Sequence, residues 1–486
     1  MRLEWAKIGQ TRNQRWCLSV LSGLLNGAAF IDFGILSLIA NVPLLFALYR
    51  SPSATETAGL GGLVGLLAGF HIYGIAHYGW FLLLAFGLYT ASQMVVYALL
   101  FRYLWGRGQA WLDVLLPANL WALSEWIRTV GPVCMPASYV GNIADVGVLN
   151  PWLRLAAFAG GLGVSWLMAL VGGLFFHWAV GQSQHRRWAI RFALGWLIVG
   201  VLGGLNGPTP GGQPVKVAAV QAGLANAMYA AAEADSGAQR DIVKVFESLT
   251  KRAYAHDVDL VLWPETAIRA PVLTDENLGH RLFPPAGSRS HLLAGVIETD
   301  REGRRYNAVA VVGPGGRRGD VYRKTRLVPG IESHFTAGET IHPLTVGQLK
   351  IGVLICLESV YPDAARRLVA QGANVLMVAS NDAGFGRSPI THHMLNRAVV
   401  RAVETGRGLI RVGQAGVTRL IRPDGTIDGT LELFVPDILV DTMQARTQLT
   451  TYVRWGNWWL YIVLMLVSLS AFPRRSPSIN ARVNEM

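Results

Sequence analysis

The segment Leu349–Glu358 (LKIGVLICLE) decides how the central part of the chain folds. Its first part alternates in the manner of a buried β-strand, and one face of that strand is formed by Ile351, Val353 and Ile355. The strand is predicted to end at Cys356. The residues that follow, Leu357–Ala370, are predicted to form a helix that has Pro362 in its first turn or in a break before it.

Cys356 therefore lies where a strand passes into a helix. Backbone N–H groups and the helix dipole at such a junction can lower the pKa of a thiol and bind an oxyanion. Cysteine is also one of the residue types most often buried in protein cores. This segment alone leaves two interpretations of Cys356, a catalytic thiol and a packing residue.

The composition of the 486-residue chain is typical of a membrane protein. Hydrophobic residues make up 51% of it, charged residues make up 15%, and the mean hydropathy is +0.33. The net charge is +12, but no segment combines a basic face with interleaved aromatic residues, so no nucleic-acid partner is predicted. Cys17, Cys134 and Cys356 lie far apart and lack the spacing of metal ligands. Neither a metal site nor a disulfide framework is predicted.

The apolar residues concentrate in runs that approach or reach the roughly 20 residues needed to cross a bilayer. Eight spans are predicted, at about 17–30, 34–49, 59–77, 79–104, 110–127, 152–181, 189–205 and 457–473. Because apolar runs continue after the first one, a cleaved signal peptide is not expected. The chain divides into a membrane domain of about seven spans at 1–205, a polar domain at 206–455, and a final span with a cytoplasmic tail at 456–486.

The arginine residues that flank the spans predict the orientation of the membrane domain. When the N-terminus is placed in the cytoplasm, the inner segments carry arginine residues such as Arg50, Arg102 and Arg186. The short outer turns lack lysine and arginine. This alternation places the polar domain outside the cytoplasm.

The polar domain is predicted to be an α/β layered fold with parallel or mixed strands. It opens with a Gly/Pro-rich hinge at Gly203–Pro214. Its predicted strands are Val215–Gln221, Asp259–Trp263, His291–Glu298, Asn307–Val312, Lys350–Ile355, Val375–Ala379 and Gly408–Val412. Its predicted helices are Gln239–Ala255 and 391–405.

Three polar residues follow strand-like runs in this domain: Glu265, Lys324 and Cys356. They are expected to meet, because the sites of α/β sheets assemble at strand ends. Glu265 would accept the thiol proton as general base, and Cys356 would be the nucleophile that becomes acylated. Lys324 would stabilise the thiolate and the tetrahedral oxyanion. Considered singly, Glu265 also fits a carboxylate at a helix start, and Lys324 a solvated surface lysine.

Four motifs around these residues resemble those of the nitrilase superfamily, in the same order: WPETAI (Trp263–Ile268), YRKTRLVPGIE (Tyr322–Glu332), ICLES (Ile355–Ser359) and SNDAGFG (Ser380–Gly386). Within it, the chain is most similar to the apolipoprotein N-acyltransferase branch. LLPANLWALSEWIR (Leu115–Arg128) and GGLGVSWLMALVGGL (Gly160–Leu174) resemble the membrane helices of that branch. The resemblance implies a multi-span α-helical membrane domain plus an α/β nitrilase-like domain, an αββα sandwich, outside the cytoplasm.

The resemblance also implies a reaction in two steps. An acyl chain passes from a phospholipid donor to a cysteine thioester, and then to the α-amino group of a lipoprotein or another envelope protein, without a cofactor. The family's catalytic residues fall on Glu265, Lys324 and Cys356, and its accessory carboxylates fall on Glu332 and Glu358. The implied location is the bacterial inner membrane, with a multi-pass anchor and the catalytic domain on the periplasmic side.

The chain departs from the family pattern beside the nucleophile. Leu357 stands where the family usually has tyrosine, and Gly384 stands where it has tryptophan. These departures predict an altered acceptor fit with the Glu–Lys–Cys chemistry intact. Asn381 is predicted to position the loop around Cys356, with a simple turn role as the alternative.

Two functions are compatible with these motifs. The first is a phospholipid-dependent N-acyltransferase. The second is a TraB-type conjugal-transfer protein that acts on a pilin or another envelope protein as an amidase or acyltransferase, and the departures favour it more than the first. A non-catalytic membrane scaffold would leave the complete Glu–Lys–Cys set without a role.

Overall fold

The computed structural model describes residues 8–31, 34–130, 150–205 and 211–472. The N-terminal part is helical, and its helices are α1 Arg12–Ile31, α2 Val42–Tyr49, α3 Ala54–Gly69, α4 Trp80–Leu104, α5 Ala110–Ile127, α6 Asn150–Leu153, α7 Ala156–Val180 and α8 Ser183–Leu205. A 3-10 segment, Phe70–Tyr78, continues α3 and leads to α4. Cys134 and part of the predicted hinge lie outside the described residues.

Several of these helices are suited to a lipid environment. Within the described residues, three are long and apolar enough to cross a membrane: Ala54–Tyr78, Trp80–Leu104 and Ala156–Val180. Shorter apolar helices lie at Gly34–Tyr49 and Leu460–Ala471. Large apolar side chains such as Leu88 and Trp178 are exposed on the outer surface of this part. The division into eight spans and three domains remains a prediction.

The remaining described chain forms an α/β domain and a C-terminal helical segment. Its strands are β1 Gln213–Gln221, β2 Leu260–Leu262, β3 His291–Thr299, β4 Arg305–Val312, β5 Arg318–Arg323, β6 Leu344–Val346, β7 Leu349–Ile355, β8 Val375–Ser380, β9 Leu409–Gly413, β10 Arg419–Ile421, β11 Ile427–Thr430 and β12 Asp437–Ala445. Its helices are α9 Asn226–Ala234, α10 Ser236–Tyr254, α11 Glu276–Leu282, α12 Pro362–Ala370, α13 Pro389–Thr405, α14 Thr451–Trp455 and α15 Leu460–Ala471.

The strands form two mixed six-stranded sheets, ordered β12–β1–β2–β3–β4–β5 and β11–β10–β9–β8–β7–β6. The sheets pack face to face over a core that includes Val217 of β1 and Val353 of β7. On the outer face of the first sheet, Phe246 of α10 packs against Trp263, with ring centroids 5.2 Å apart. Helices α12 and α13 cover the outer face of the second sheet. The four layers form the αββα sandwich that the sequence predicts.

The segment Leu349–Glu358 folds largely as expected. Its strand is β7, with the predicted face turned toward the other sheet and Leu354 turned toward the helical layer. The predicted break at Pro362 is confirmed, because Cys356–Val360 is a 3-10 turn and the α-helix begins at Pro362, five residues after the predicted start at Leu357. Proline has no N–H group to donate and is favoured in the first turn of a helix, which accounts for the break.

The N-terminal helices α1 to α8, with the 3-10 segment Phe70–Tyr78, are called the membrane part below. Helix α13 lies between the second sheet and the membrane part, and both of its sides are buried. The carboxylate of Glu404 on α13 accepts a 2.6 Å hydrogen bond from the backbone N–H of Gly161 on α7. His393 on α13 also contacts the backbone carbonyl of Phe30 at the end of α1. The α/β domain is therefore packed directly on the helices of the membrane part.

Candidate active site

Three strand ends bring the predicted catalytic residues into one cavity of about 820 Å³. Glu265 follows β2 after two residues, Lys324 directly follows β5, and Cys356 directly follows β7. Strands β2 and β5 belong to the first sheet, and β7 belongs to the second. The stacking of the two sheets therefore places the thiol opposite the carboxylate and the ammonium group.

Lys324 is held between two carboxylates. Its Nζ donates to Oε1 of Glu265 and to Oε1 of Glu332, both at 2.9 Å. Asn307 Nδ2 donates to the same two oxygens, at 2.8 and 2.9 Å. Burial lowers the pKa of Lys324, but the nearby negative charges outweigh burial and raise the pKa above its usual value. Lys324 therefore stays an ammonium group at neutral pH.

The other oxygens of these carboxylates are fixed by the backbone. Oε2 of Glu265 accepts a 3.0 Å hydrogen bond from the N–H of Asn381, and Oε2 of Glu332 accepts one of 2.7 Å from the N–H of Val328. In each carboxylate, one oxygen thus accepts a hydrogen bond from Lys324 and the other accepts one from a backbone N–H group of a loop. This arrangement preorganises the charged groups before substrate binds.

Cys356 is a strained residue at the base of the cavity. Its φ is +50°, in the left-handed region that residues other than glycine seldom adopt, and it is only partly buried. Burial and the charge of Glu265 raise the pKa of the Cys356 thiol, and Lys324 opposes them only in part. The lowering of the pKa that a strand-to-helix junction can produce is absent at Cys356, because Cys356 leads into a short 3-10 turn and the charge of Glu265 acts on it. A neutral thiol of this kind needs a base to become a nucleophile.

Glu358 and Leu357 do not line the cavity. Glu358 is fully buried, and its Oε1 accepts hydrogen bonds from the hydroxyl of Tyr322 at 2.8 Å and from the N–H of Thr325 at 2.8 Å. Its Oε2 accepts a 2.9 Å bond from the N–H of Ile355. Glu358 thereby connects the 3-10 turn Cys356–Val360 to Tyr322 and Thr325, which lie on either side of Lys324 in the sequence. The side chain of Leu357 is buried in the core shared with the helical layer.

Comparison with known proteins covers both parts of the chain. Residues 22–174 match the family described as apolipoprotein N-acyltransferase N-terminal domain, and residues 216–452 match carbon-nitrogen hydrolase. The apolipoprotein N-acyltransferase of Pseudomonas putida is 32% identical over 407 residues, which cover 75% of this chain and 76% of that protein. The chain belongs to the apolipoprotein N-acyltransferase family. The resemblance predicted from the motifs is therefore confirmed.

Other members of the apolipoprotein N-acyltransferase family give the same result. The enzyme of Azotobacter vinelandii is 32% identical over 436 residues, which cover 80% of each chain. That of Geobacter metallireducens is 27% identical, and the match covers 95% of this chain and 96% of that protein. Among solved structures, Saccharomyces cerevisiae Nit3, a member of branch 10 of the nitrilase superfamily, is 18% identical with a TM-score of 0.39 and covers 48% of this chain and 90% of that chain. The TraB-type alternative is not favoured by the apolipoprotein N-acyltransferases of P. putida, A. vinelandii and G. metallireducens.

The space next to Gly384 is filled. A Cβ atom at Gly384 would overlap the hydroxyl of Tyr78 and would lie 2.8 Å from its Cζ and 3.0 Å from Nδ2 of Asn226. Tyr78 ends the 3-10 segment of the membrane part and lines the catalytic cavity. The glycine at position 384 therefore leaves no empty pocket, because the side chain of Tyr78 occupies the space beside it.

The outer part of the cavity carries two arginines. Arg269 pairs with the carboxylate of Glu233. Arg305 is exposed beside the ring of Phe335, with 5.8 Å between Cζ and the ring centroid, and no carboxylate of the described chain lies within ion-pair distance of it. Sequence reasoning missed Arg305, Asn307 and Tyr78, since none of them stands in a motif that marks it.

Proposed function

We propose that this chain is a phospholipid-dependent N-acyltransferase of the bacterial inner membrane, which moves an acyl chain through a thioester on Cys356 to the α-amino group of a lipoprotein. The observation that carries the proposal is one cavity that holds Glu265, Lys324 and Cys356 beside a segment of the membrane part. Membership of the apolipoprotein N-acyltransferase family makes the chain a membrane acyltransferase. The roles of individual residues and the identity of the substrates are what we infer.

In the first step, the Sγ atom of Cys356 attacks the ester carbonyl carbon of the phospholipid while Glu265 takes the thiol proton. The negative charge that develops on the carbonyl oxygen is stabilised by the ammonium group of Lys324. When the C–O bond breaks, the departing lysophospholipid oxygen receives the proton from Glu265. The products are a thioester and a neutral alcohol.

In the second step, the acceptor amine attacks the thioester and Glu265 removes a proton from the nitrogen. Lys324 again stabilises the oxyanion as the C–N bond forms. The C–S bond then breaks, and the thiolate of Cys356 recovers that proton from Glu265. The raised pKa of the free thiol makes this return of the proton favourable, so the enzyme ends in its starting state.

Arg305 is suited to contact the phosphate of the donor. Its exposed guanidinium lies on the cavity lining, and arginine binds phosphate oxygens through a fork of N–H donors. Arg269 is less available because it is paired with Glu233. The phosphate would then lie at the mouth of the cavity while the ester carbonyl reaches Cys356.

The donor assignment is tested by following a labelled acyl chain from phosphatidylethanolamine to a diacylglyceryl-cysteine peptide. We expect transfer by the purified protein, and we expect Arg305→Ala to raise KM for the donor about tenfold with kcat retained, since a charge-assisted hydrogen bond contributes about 1.5–3 kcal/mol. Arg301→Ala is the matched control, because Arg301 is exposed on the same hairpin and does not line the cavity.

Three results would contradict these assignments. A folded wild-type protein that releases labelled fatty acid without forming the amide would favour a hydrolase. A protein that does neither would refute the proposed function. Equal KM values for Arg305→Ala and Arg301→Ala would remove Arg305 from the donor site.

We also propose that the α/β domain faces the periplasm, which the arginine alternation along the spans supports. In a variant without native thiols, Glu302→Cys should react with a membrane-impermeant maleimide on intact spheroplasts. Gln184→Cys, at the start of α8, should react only after permeabilisation. Both side chains are exposed, so access to the reagent is matched. Preferential labelling of the Gln184→Cys variant in intact spheroplasts would reverse the proposed orientation.

A further inference from the structure

The catalytic loop, residues 381–388, is interlocked with the 3-10 segment Phe70–Tyr78 of the membrane part. Gly384 of the loop makes room for the side chain of Tyr78. In return, Gly74 of the 3-10 segment makes room for Ser388, because a Cβ atom at Gly74 would lie 2.6 Å from the Cβ of Ser388. Each segment thus has a glycine that receives a side chain of the other.

Ring packing adds to this interlock. The rings of Tyr78 and Phe385 meet edge to face, with centroids 5.5 Å apart and planes at 64°. Such an aromatic pair contributes about 0.5–1.5 kcal/mol beyond the area it buries. The contact is therefore strong enough to bias the position of a loop.

The catalytic loop in turn holds the proposed general base. Its first residue, Asn381, donates its N–H to Oε2 of Glu265 at 3.0 Å. The next residue, Asp382, is fully buried and is fixed from the second sheet by the hydroxyl of Ser380 at 2.7 Å and by Arg411. One end of the loop is thus anchored in the α/β domain, and its middle is anchored by Tyr78.

We infer that Tyr78 is a positioning residue of the acyl-transfer reaction. Through its contact with Gly384 it fixes the catalytic loop, and the loop fixes the carboxylate of Glu265 that takes the proton from Cys356. Tyr78 also forms the wall of the cavity that the membrane part supplies. This inference rests on the proposed function, since it concerns the base of that reaction.

A swap of the two residues tests the inference. We expect Gly384→Trp to slow single-turnover formation of the thioester about 100-fold, because displacing a catalytic group by about 1 Å has an effect of that size. Tyr78→Gly should slow it about tenfold by releasing the loop. The double variant, Tyr78→Gly with Gly384→Trp, should recover to within about tenfold of the wild type, since it restores one aromatic ring in the same space.

The control is Tyr73→Gly. Tyr73 is on the same 3-10 segment, is exposed and does not line the cavity, so its replacement should change the rate less than about twofold. Overall kcat and KM are measured as well, and the inference requires the loss to fall on kcat. Folding of each variant is checked by its thermal unfolding midpoint in detergent.

Recovery in the double variant shows that the side chains at positions 78 and 384 compete for one space. The inference also requires Tyr78→Gly alone to slow thioester formation, and a Tyr78→Gly variant that acylates at the wild-type rate would overturn it. The inference is overturned if Gly384→Trp acylates at the wild-type rate, or if the double variant is at least as slow as Gly384→Trp. If Gly384→Trp does not fold, Gly384→Ala and its combination with Tyr78→Gly give the same comparison. If the wild type forms the thioester but the double variant does not recover, only the role of Tyr78 is refuted. If the wild type forms no thioester, the proposed function and this inference are refuted together.

Discussion

Replacing Cys356 with alanine is expected to abolish the acyl-enzyme and to lower acyl transfer by about 10⁴-fold or more. Cys356 is the only thiol among the described residues that line the cavity, so no second nucleophile of this kind can take its place. Loss of a nucleophile in a covalent mechanism has effects of this size or larger. Intact-mass spectrometry of protein purified from membranes should show an adduct of acyl-chain mass that neutral hydroxylamine removes, and this adduct should be absent from Cys356→Ala.

Cys17 provides the control for that measurement. It is an exposed free thiol on α1, outside the catalytic cavity. Cys17→Ala should keep both the hydroxylamine-sensitive adduct and the transfer activity. An equal adduct in Cys356→Ala, or its disappearance in Cys17→Ala alone, would show that Cys356 is not the residue that is acylated.

Local sequence patterns were sufficient to predict the strand before Cys356. Apolar and other residues alternate in this segment because successive side chains of a strand point to opposite faces, and this periodicity can be recognised from neighbouring residues alone. The same holds for the strand before Glu265, and both residues stand at strand ends where sites assemble. The motifs around them supplied the family. Such local patterns do not indicate which distant segments of the chain come into contact.

Asn307 shows this limit. In the sequence it is one polar residue at the start of a predicted strand. In the structure it bridges the carboxylates of Glu265 and Glu332, because β4 pairs with β3 on one side and β5 on the other. The contact of Tyr78 with Gly384 is more distant still, since it joins the membrane part to the α/β domain. Such pairs leave no local pattern.

Edge strands were missed wholly or in part for a different reason: β12 has no counterpart among the predicted strands, and of β5 only the short run before Lys324 is predicted to be strand-like. β12 (DILVDTMQA, Asp437–Ala445) is interrupted by Asp441 and is only half-buried, and β5 (RGDVYR, Arg318–Arg323) is largely polar. Both lie at the ends of the first sheet, where one strand side has no partner strand. Natural proteins place charged residues on such strands to avoid further pairing, and these charges weaken the alternation that predicts a strand.

The direction of the pKa shift at Cys356 differs from the sequence-based expectation for a third reason. The expected lowering depended on a helix starting at the nucleophile, but only a 3-10 turn starts there. The shift is instead dominated by burial and by Glu265, which reaches Cys356 from the other sheet. A local pattern can therefore place a cysteine correctly at the end of a strand and still give the wrong direction for the shift of its pKa.

Replacing Lys324 with methionine is expected to abolish transfer and also to destabilise the protein, whereas Arg323→Met should do neither. Lys324 is 1% exposed and is the shared cationic partner of two buried carboxylates, so its removal leaves both without an opposite charge, and an unpaired buried charge destabilises folded proteins by about 3–5 kcal/mol. The side chains of Arg323 and Glu298 are 36% and 21% exposed, and a pair of that kind contributes about 0–1 kcal/mol. Transfer rates and thermal unfolding midpoints in detergent would be compared for the two variants.

A second substitution separates stability from catalysis in Lys324→Met. Adding Glu332→Gln removes one of the two uncompensated charges, so part of the lost thermal stability should return. Transfer should stay below about 1% of the wild-type rate, because no ammonium group remains to stabilise the oxyanion. If the double variant recovered activity along with stability, Lys324 would serve only to hold the two carboxylates in place. If Lys324→Met itself kept the wild-type transfer rate, neither role would stand.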